Sequence, residues 1–265
     1  MNKRYIGAIM LIPALLMFFI GGVYLKYFVM VLSLCGLYEF YNACKKSKLK
    51  PIALIGYVFS IIYFITLGNT FNFQMFTYML IATVFISMLI PVLNINYNFE
   101  DIACTILGVL YVTIFFSLMV LIENKEHGSY LIWLIFISSW GCDTAAYYSG
   151  KYLGKHKLIP KVSPKKTIEG SIGGLIGSVV GCTLYGYIIS KYGVNVSLYN
   201  YIIIGILGGI FGQFGDLVAS SIKRHSGIKD YSNLIPGHGG ILDRFDSILF
   251  VTVVVYYYIT IFMGI

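Results

Sequence analysis

The sequence predicts an all-α polytopic integral membrane protein with about nine transmembrane helices. Of its 265 residues, 58% are hydrophobic and only 11% are charged, whereas an ordinary soluble domain is about 25% charged. The mean hydropathy is +0.82. These values exclude a soluble enzyme, a disordered chain and a secreted disulfide-linked scaffold. The five cysteines form no CxxC pair and lie in or beside apolar stretches, so we expect buried, unbridged thiols.

Nine apolar stretches are candidate spans, at roughly 20 residues for each crossing of the bilayer. The first begins after Lys3 and Arg4 and resembles a signal peptide, but it lacks a small-residue cleavage site. Because further spans follow it, we expect it to be a retained first helix. The nine stretches cover residues 5–22, 24–43, 52–67, 73–93, 102–122, 130–149, 170–190, 198–221 and 246–264.

The distribution of positive charge predicts the orientation of the chain. With the N-terminus placed inside, sixteen of the 19 Lys and Arg residues fall on the inner side, and only Lys26, Lys125 and Lys191 fall outside. Cytoplasmic loops are rich in Lys and Arg, so we expect a multi-pass protein of the cell membrane with a cytoplasmic N-terminus. The same bias accounts for the net charge of +8, and no nucleic-acid partner is expected.

Two long inner loops, residues 150–169 and 222–245, carry most of the polar residues of the second half. We therefore interpret residues 1–125 as a transmembrane scaffold. We interpret residues 126–265 as a catalytic transmembrane region whose active site faces the cytoplasm. The glycines of the seventh and eighth spans recur at small-xxx-small spacing, which predicts close helix packing.

Four aspartates fall at a similar depth near the cytoplasmic boundary: Asp143, Asp216, Asp243 and Asp246. Intramembrane carboxylates are costly and usually functional. Oxygen ligands without a Cys or His cluster suit a hard cation such as Mg²⁺, which usually binds phosphates as well. The four residues are thus predicted metal ligands. The alternative is that each aspartate pairs with a nearby base, for instance Asp216 with Lys223.

The loop between the eighth and ninth spans combines positive charge with glycine. Its glycines flank His238 and would let backbone N–H groups approach an anion, and the next helix begins beside them. Together with the aspartates, this pattern predicts a pocket for a metal and a phosphate. The basic residues and glycines concerned are Lys223, Arg224, Lys229, Arg244, Gly237, Gly239 and Gly240.

The other long loop contains Lys165 and Lys166 between Ser163 and Thr167, just before the seventh span. An ordinary positive-inside loop would explain the lysines but not the full Ser-Pro-Lys-Lys-Thr-x-Glu-Gly pattern. We therefore predict a second anion site here, for the phosphate of either a nucleotide or a lipid headgroup.

The 27 residues from Ser220 to Asp246 resemble the signature of phosphatidate cytidylyltransferases, also called CDP-diacylglycerol synthases. Asp143-Thr144, the stretch from Ser163 to Gly170, and Gly215-Asp216 are also similar to that family. The matching signature residues are Ser220, Ile222, Lys223, Arg224, Lys229, Asp230, Ser232, Ile235, Pro236, His238, Gly239, Gly240, Ile241, Asp243, Arg244, Phe245 and Asp246.

The resemblance implies that CTP and phosphatidic acid react to give CDP-diacylglycerol and pyrophosphate, in phospholipid biosynthesis. It implies Mg²⁺, with a monovalent cation such as K⁺, and a homodimer in the lipid bilayer. Its metal ligands correspond to Asp216 and Asp243, with Asp246 as a close support. We expect catalysis to depend on these three aspartates with Lys223 and Arg244. Substrate phosphates would be held by Lys165, Lys166, Ser220, Arg224, Lys229, His238, Gly239 and Gly240.

Three other functions are alternatives for this sequence. A cation-coupled transporter could use buried carboxylates, but the polar residues gather at one face and no repeat is visible. A CTP-dependent lipid kinase of the dolichol kinase type would release CDP rather than pyrophosphate. A CDP-alcohol phosphotransferase would need a DG…AR…G…D…D motif that this sequence lacks.

Overall fold

The computed structural model describes residue 13 and residues 15–265. The first predicted span, residues 5–22, lies mostly outside this part, although residues 15–20 are helical. Each of the other eight predicted spans coincides with a helix, usually within a few residues. The helices are α1 (Gly22–Lys46), α2 (Ala53–Thr66), α3 (Phe73–Leu93), α4 (Phe99–Gly108), α5 (Phe115–Glu123), α6 (Gly128–Leu131), α7 (Trp133–Leu153), α8 (Ile168–Ser190), α9 (Leu198–His225) and α10 (Ile241–Tyr257).

Two π-helical stretches complete the helical structure. Val109–Ile114 joins α4 to α5, and Tyr258–Met263 extends α10. With these extensions, six of the described helices are long and apolar enough to cross a membrane, which makes the chain a polytopic membrane protein. They are Gly22–Lys46, Phe73–Leu93, Phe99–Glu123, Ile168–Ser190, Leu198–His225 and Leu242–Met263.

The loop predicted at residues 150–169 contains a short β-hairpin, which the all-helical prediction did not include. Strand β1 (Lys157–Ile159) pairs antiparallel with β2 (Ser163–Thr167), and Lys157 lies opposite Thr167. Strands of three and five residues are too short to show an alternating pattern in the sequence. Its second strand carries Lys165 and Lys166 immediately before α8.

The chain divides into two compact units. The first contains the described residues up to Asn124 together with Ile222–Arg244, and the second contains Lys125–Ser221 and Phe245–Ile265. In the first unit, Tyr41 is fully buried and donates a hydrogen bond to the carbonyl oxygen of Thr105 at 2.9 Å. Small residues are needed around this ring, because a Cβ at Gly108 would collide with it.

Cys44 and Cys104 form a disulfide in the first unit, which corrects the expectation that all five cysteines are unbridged. They are 60 residues apart in the chain, and no spacing motif connects them. The remaining cysteines, Cys35, Cys142 and Cys182, are free thiols as expected.

The second unit is built on the close packing of α7 against α8, and the small-xxx-small prediction is confirmed. A Cβ at Gly177 would lie 2.7 Å from the carbonyl oxygen of Gly141, so the two backbones approach too closely for a side chain. Ser138 and Ser178 share a hydrogen bond of 2.8 Å across the same contact. Small residues and hydroxyl pairs of this kind hold membrane helices together.

Candidate active site

The stretch from Ser163 to Gly170 owes much of its pattern to the start of α8. The Thr167 hydroxyl caps the helix by accepting a hydrogen bond from the Gly170 amide at 3.1 Å. Glu169 accepts hydrogen bonds from the Lys155 amide at 3.1 Å and shares one with the His156 ring at 2.7 Å. These contacts hold the hairpin against the start of α8. They explain why Thr167 and Glu169 occur in this pattern, but they do not explain Lys165 and Lys166.

A cavity of about 330 Å³ lies in the second unit beneath the hairpin. Lys165 and Lys166 from β2 line it together with Lys151 from α7, and Asp143 and Gln213 complete its polar wall. Three lysines and one aspartate line the cavity, and one of the lysines, Lys166, is also paired with Asp216. The remaining excess of positive charge favours an anion. The two lysines of the predicted anion site therefore line a concavity.

Asp216 forms an ion pair with Lys166 within the second unit. The two side chains are 30% and 26% exposed, so water and solutes reach the pair. The Ser220 hydroxyl lies 3.5 Å from the other oxygen of Asp216. Because an ion pair that water reaches contributes little net stability, its partners can be exchanged at small cost.

Asp243, in the first unit, has a very different environment. Its side chain is only 3% exposed and accepts hydrogen bonds from Lys223 Nζ at 2.8 Å, the Tyr231 amide at 2.8 Å and the Gly240 amide at 2.9 Å. Asp243 lies two residues after Ile241, the first residue of α10, so its bond to Gly240 caps that helix. One carboxylate thus fixes both ends of the loop between Tyr231 and Gly240.

Glu39 on α1 is a second buried carboxylate at this helix start, and the sequence reasoning missed it. Its side chain accepts hydrogen bonds from the Ser232 hydroxyl at 2.6 Å, the Ile241 amide at 2.9 Å and the Leu242 amide at 2.8 Å. The residue is 1% exposed. A lone carboxylate inside an apolar span is the signal that could have identified it.

In this structure the start of α10 already holds two anionic side chains of the chain itself. The backbone N–H groups of Gly240, Ile241 and Leu242 do bind anions, but the anions are the carboxylates of Asp243 and Glu39. Gly240 is required here because a Cβ would collide with the Glu39 carboxyl group. The first turn of α10 is therefore used for structure.

His238 lies in the tight turn before α10. The Ile235 amide donates to the Gly239 carbonyl at 2.8 Å, and the His238 amide donates back to Ile235 at 2.9 Å. Gly239 adopts a φ of 83°, which other residues rarely take. The His238 ring is 3.5 Å from the Pro236 carbonyl oxygen, so it contacts its own turn.

Three further predicted phosphate contacts, Arg224, Lys229 and Arg244, have exposed side chains.

The four predicted metal ligands are divided between the two units: Asp243 belongs to the first, and Asp143, Asp216 and Asp246 belong to the second. Within the described part of the chain, no group of three or more His, Cys, Asp or Glu side chains could hold a metal ion. Asp143 is exposed beside the cavity, and Asp246 accepts a hydrogen bond from the Ser247 amide at 2.8 Å. Pairing of aspartates with bases does occur, but Asp216 pairs with Lys166, and Lys223 pairs with Asp243.

The donor chemistry still fits Mg²⁺. This ion commonly takes one or two carboxylates and completes its shell with water and substrate phosphates. Asp216 and Asp243 each hold a lysine ammonium group, so each carboxylate already binds a positive charge. A divalent cation would replace that charge rather than introduce a new kind of contact.

Comparison with known proteins assigns the family. The model of the cytidylyltransferase family matches residues 2–262. A phosphatidate cytidylyltransferase of Staphylococcus haemolyticus is 40% identical over 93% of this chain and 92% of its own length. The Staphylococcus aureus (strain COL) protein of that name has the same identity and coverage. A third, from Staphylococcus saprophyticus, is 39% identical over 65% of each chain. This chain belongs to the cytidylyltransferase family.

Proposed function

We propose that this chain is a phosphatidate cytidylyltransferase, which converts CTP and phosphatidic acid to CDP-diacylglycerol and pyrophosphate. The observation that carries the proposal is the nearly full-length similarity to proteins of that name. The site supports it independently, because basic side chains suited to phosphates occur in both units beside carboxylates suited to Mg²⁺. A polytopic membrane protein is also a suitable setting for a lipid substrate.

The reaction needs charge compensation more than proton transfer. An oxygen of the phosphatidate phosphate attacks the α-phosphorus of CTP, and the bond from that phosphorus to the oxygen bridging to the β-phosphate breaks. The attacking oxygen is already ionised near neutral pH, so no general base is required. Pyrophosphate leaves with the electron pair. The residues must therefore bring two polyanions together, which Lys and Arg side chains can do.

Lys223, Arg224, Lys229 and Arg244 are proposed to hold substrate phosphates and to stabilise the pyrophosphate as it leaves. Ser220, Gly239, Gly240 and His238 are proposed to support those contacts from the same signature segment. His238 shapes the turn before α10, and no proton transfer is assigned to it.

We propose that Asp216 and Asp243 hold Mg²⁺, with Asp246 and Asp143 as supporting carboxylates and a monovalent cation such as K⁺ nearby. When bound, Mg²⁺ supplies positive charge that neutralises the phosphate oxygens. Lys166 and Lys223, which pair with the two aspartates in this structure, would then be available to substrate phosphate.

We propose nine transmembrane spans with a cytoplasmic N-terminus, because the positive charge is so unevenly distributed. The active site then faces the cytoplasm, where CTP is available, while phosphatidate lies in the adjacent leaflet. A homodimer is proposed on the basis of the family resemblance.

The test is turnover by purified protein in detergent with phosphatidate, CTP and Mg²⁺. Equal amounts of pyrophosphate and CDP-lipid, both lost with EDTA, are the expected result. CDP together with a newly phosphorylated lipid would instead identify a lipid kinase. No nucleotide turnover with phosphatidate would contradict the proposal and direct attention to cation transport.

A further inference from the structure

A second cavity adjoins the basic one in the second unit. It has a volume of about 240 Å³ and is lined by apolar side chains of β1, α8 and α9. Leu158, Ser171 and Gln213 line both cavities, so the two spaces share one wall. The side chains found only in the second cavity are Ile159, Ile172, Leu175, Ile210, Phe214 and Leu217.

The shared wall is held in place by hydrogen bonds. The Gln213 side-chain amide donates to the carbonyl oxygen of Ser171 at 3.1 Å and to that of Gly209 at 3.0 Å. These contacts join α8 to α9 at the boundary between the basic cavity and the apolar one. The change from charged to apolar lining is therefore a fixed feature of this unit.

The apolar cavity also opens outward between two long apolar helices. Ile172 on α8 is 56% exposed and Phe214 on α9 is 55% exposed, although both line the cavity. Both helices are among those long and apolar enough to cross a membrane. A hydrocarbon chain could thus enter from the lipid and lie beside the ammonium groups of the basic cavity.

We propose that the adjoining cavities form the phosphatidate site, with the phosphate monoester among Lys151, Lys165 and Lys166 and an acyl chain in the apolar cavity. This inference rests on the proposed function and decides which of the two basic segments holds the lipid. The basic lining of one cavity and the apolar lining of the other both favour an amphiphilic ligand. CTP is a poorer match, because it has no hydrocarbon chain to fill the apolar cavity. The nucleotide phosphates are then left to the signature segment that contains Lys223, Arg224 and Lys229.

The test separates acyl-chain contacts from phosphate contacts by steady-state kinetics. Ile172→Trp fills the apolar cavity, and Ile176→Trp is the matched control, one turn further along the same helix, 58% exposed and outside both cavities. Excluding about two methylene groups from burial should raise the KM for dioleoyl phosphatidate about tenfold. The KM values for CTP and for dibutanoyl phosphatidate should stay within twofold, as should all values for the control.

Lys165→Gln tests the phosphate contact. It should raise the KM for both the long-chain and the short-chain phosphatidate while leaving the KM for CTP unchanged. An increase confined to the KM for CTP would overturn the assignment, and so would equal effects of Ile172→Trp and Ile176→Trp on the long-chain lipid.

A binding measurement keeps this inference separate from the proposed function. Phosphatidate with a photoreactive group near its acyl carbonyl is cross-linked in the presence of Mg²⁺ but without CTP, so that no turnover occurs, and the labelled peptides are identified by mass spectrometry. Label in residues 168–175 and 210–217, reduced by Ile172→Trp, supports the site even if the protein shows no turnover. Normal turnover with label only outside these segments overturns the site and leaves the proposed function intact.

Discussion

Asp216 and Asp243 are both aspartates in segments that resemble the family, yet the two units use them differently. Asp243 is buried, accepts three hydrogen bonds and caps α10, whereas Asp216 is about one-third exposed and pairs with one lysine. A carboxylate with three fixed donors is part of the fold. A carboxylate with one exchangeable partner is available to a cation. The first should therefore matter for both stability and turnover, and the second for turnover alone.

The largest expected effect is that of Asp216→Asn on turnover. The variant keeps the shape of the side chain but loses the negative charge, so we expect kcat to fall by at least about 10³-fold. The free energy of unfolding should change by less than about 1 kcal/mol, because water reaches the lost ion pair, whose side chains are 30% and 26% exposed. Initial rates across a Mg²⁺ titration and urea unfolding would measure both. Normal rates at saturating Mg²⁺ would contradict the metal assignment.

Asp243→Asn should reduce both turnover and stability. From the sequence alone we expect Asp243→Ala to abolish turnover while leaving expression and dimerisation intact. The structure instead predicts destabilisation by about 3 kcal/mol, because Lys223 would remain largely buried without its carboxylate. Thermal unfolding in detergent would show this, with the exposed Glu100→Gln as a control that should leave Tm unchanged. An unchanged Tm for Asp243→Asn would mean that the capping contacts are dispensable.

Glu39→Gln tests whether the buried acid on α1 positions the signature loop. One carboxylate oxygen becomes an NH₂ group that faces a backbone N–H donor, so we expect a loss of about 1–3 kcal/mol in stability. If Glu39 positions catalytic groups, kcat should fall more than the KM values for CTP and phosphatidate rise.

The matched control for this position is Glu123→Gln. Glu123 also accepts a backbone hydrogen bond in the first unit, but from the Gly22 amide at 3.1 Å rather than from the signature loop. A similar fall in kcat for both variants would show that Glu39 acts only through general stability.

The smallest effect is expected at the cap of α8. Thr167→Ala removes the side-chain acceptor for the Gly170 amide and should cost about 1 kcal/mol of stability. Thr167→Ser keeps the hydroxyl and should behave like the wild type. Urea unfolding of the two variants would measure the difference. An equal loss in both variants would show that the Thr167 methyl group, which both lack, is important rather than the cap.

Helix positions were largely predictable because a bilayer requires long apolar stretches, and eight predicted spans coincide with helices. The β-hairpin was not predictable, since its strands are too short for a periodic signal. Glu39 and the Cys44–Cys104 disulfide were missed for another reason: their partners are distant in the chain. No local pattern records a contact between α1 and a loop almost 200 residues later.

The candidate site was predictable as a set of residue types but not as an arrangement. The sequence indicated that glycines near His238 would let backbone amides approach an anion. It did not indicate that the anions would be Asp243 and Glu39. The aspartate–lysine pairs were also unforeseen, because both connect segments separated by at least 20 residues.

The double capping of α10 has a consequence for amide hydrogen exchange. The amide protons of Tyr231, Gly240, Ile241 and Leu242 all point to buried carboxylate oxygens. None of them can exchange with water until its carboxylate is released, and release of either carboxylate exposes two of them together. Although this segment is a loop for most of its length, its two ends should exchange as slowly and as cooperatively as the interior of a helix.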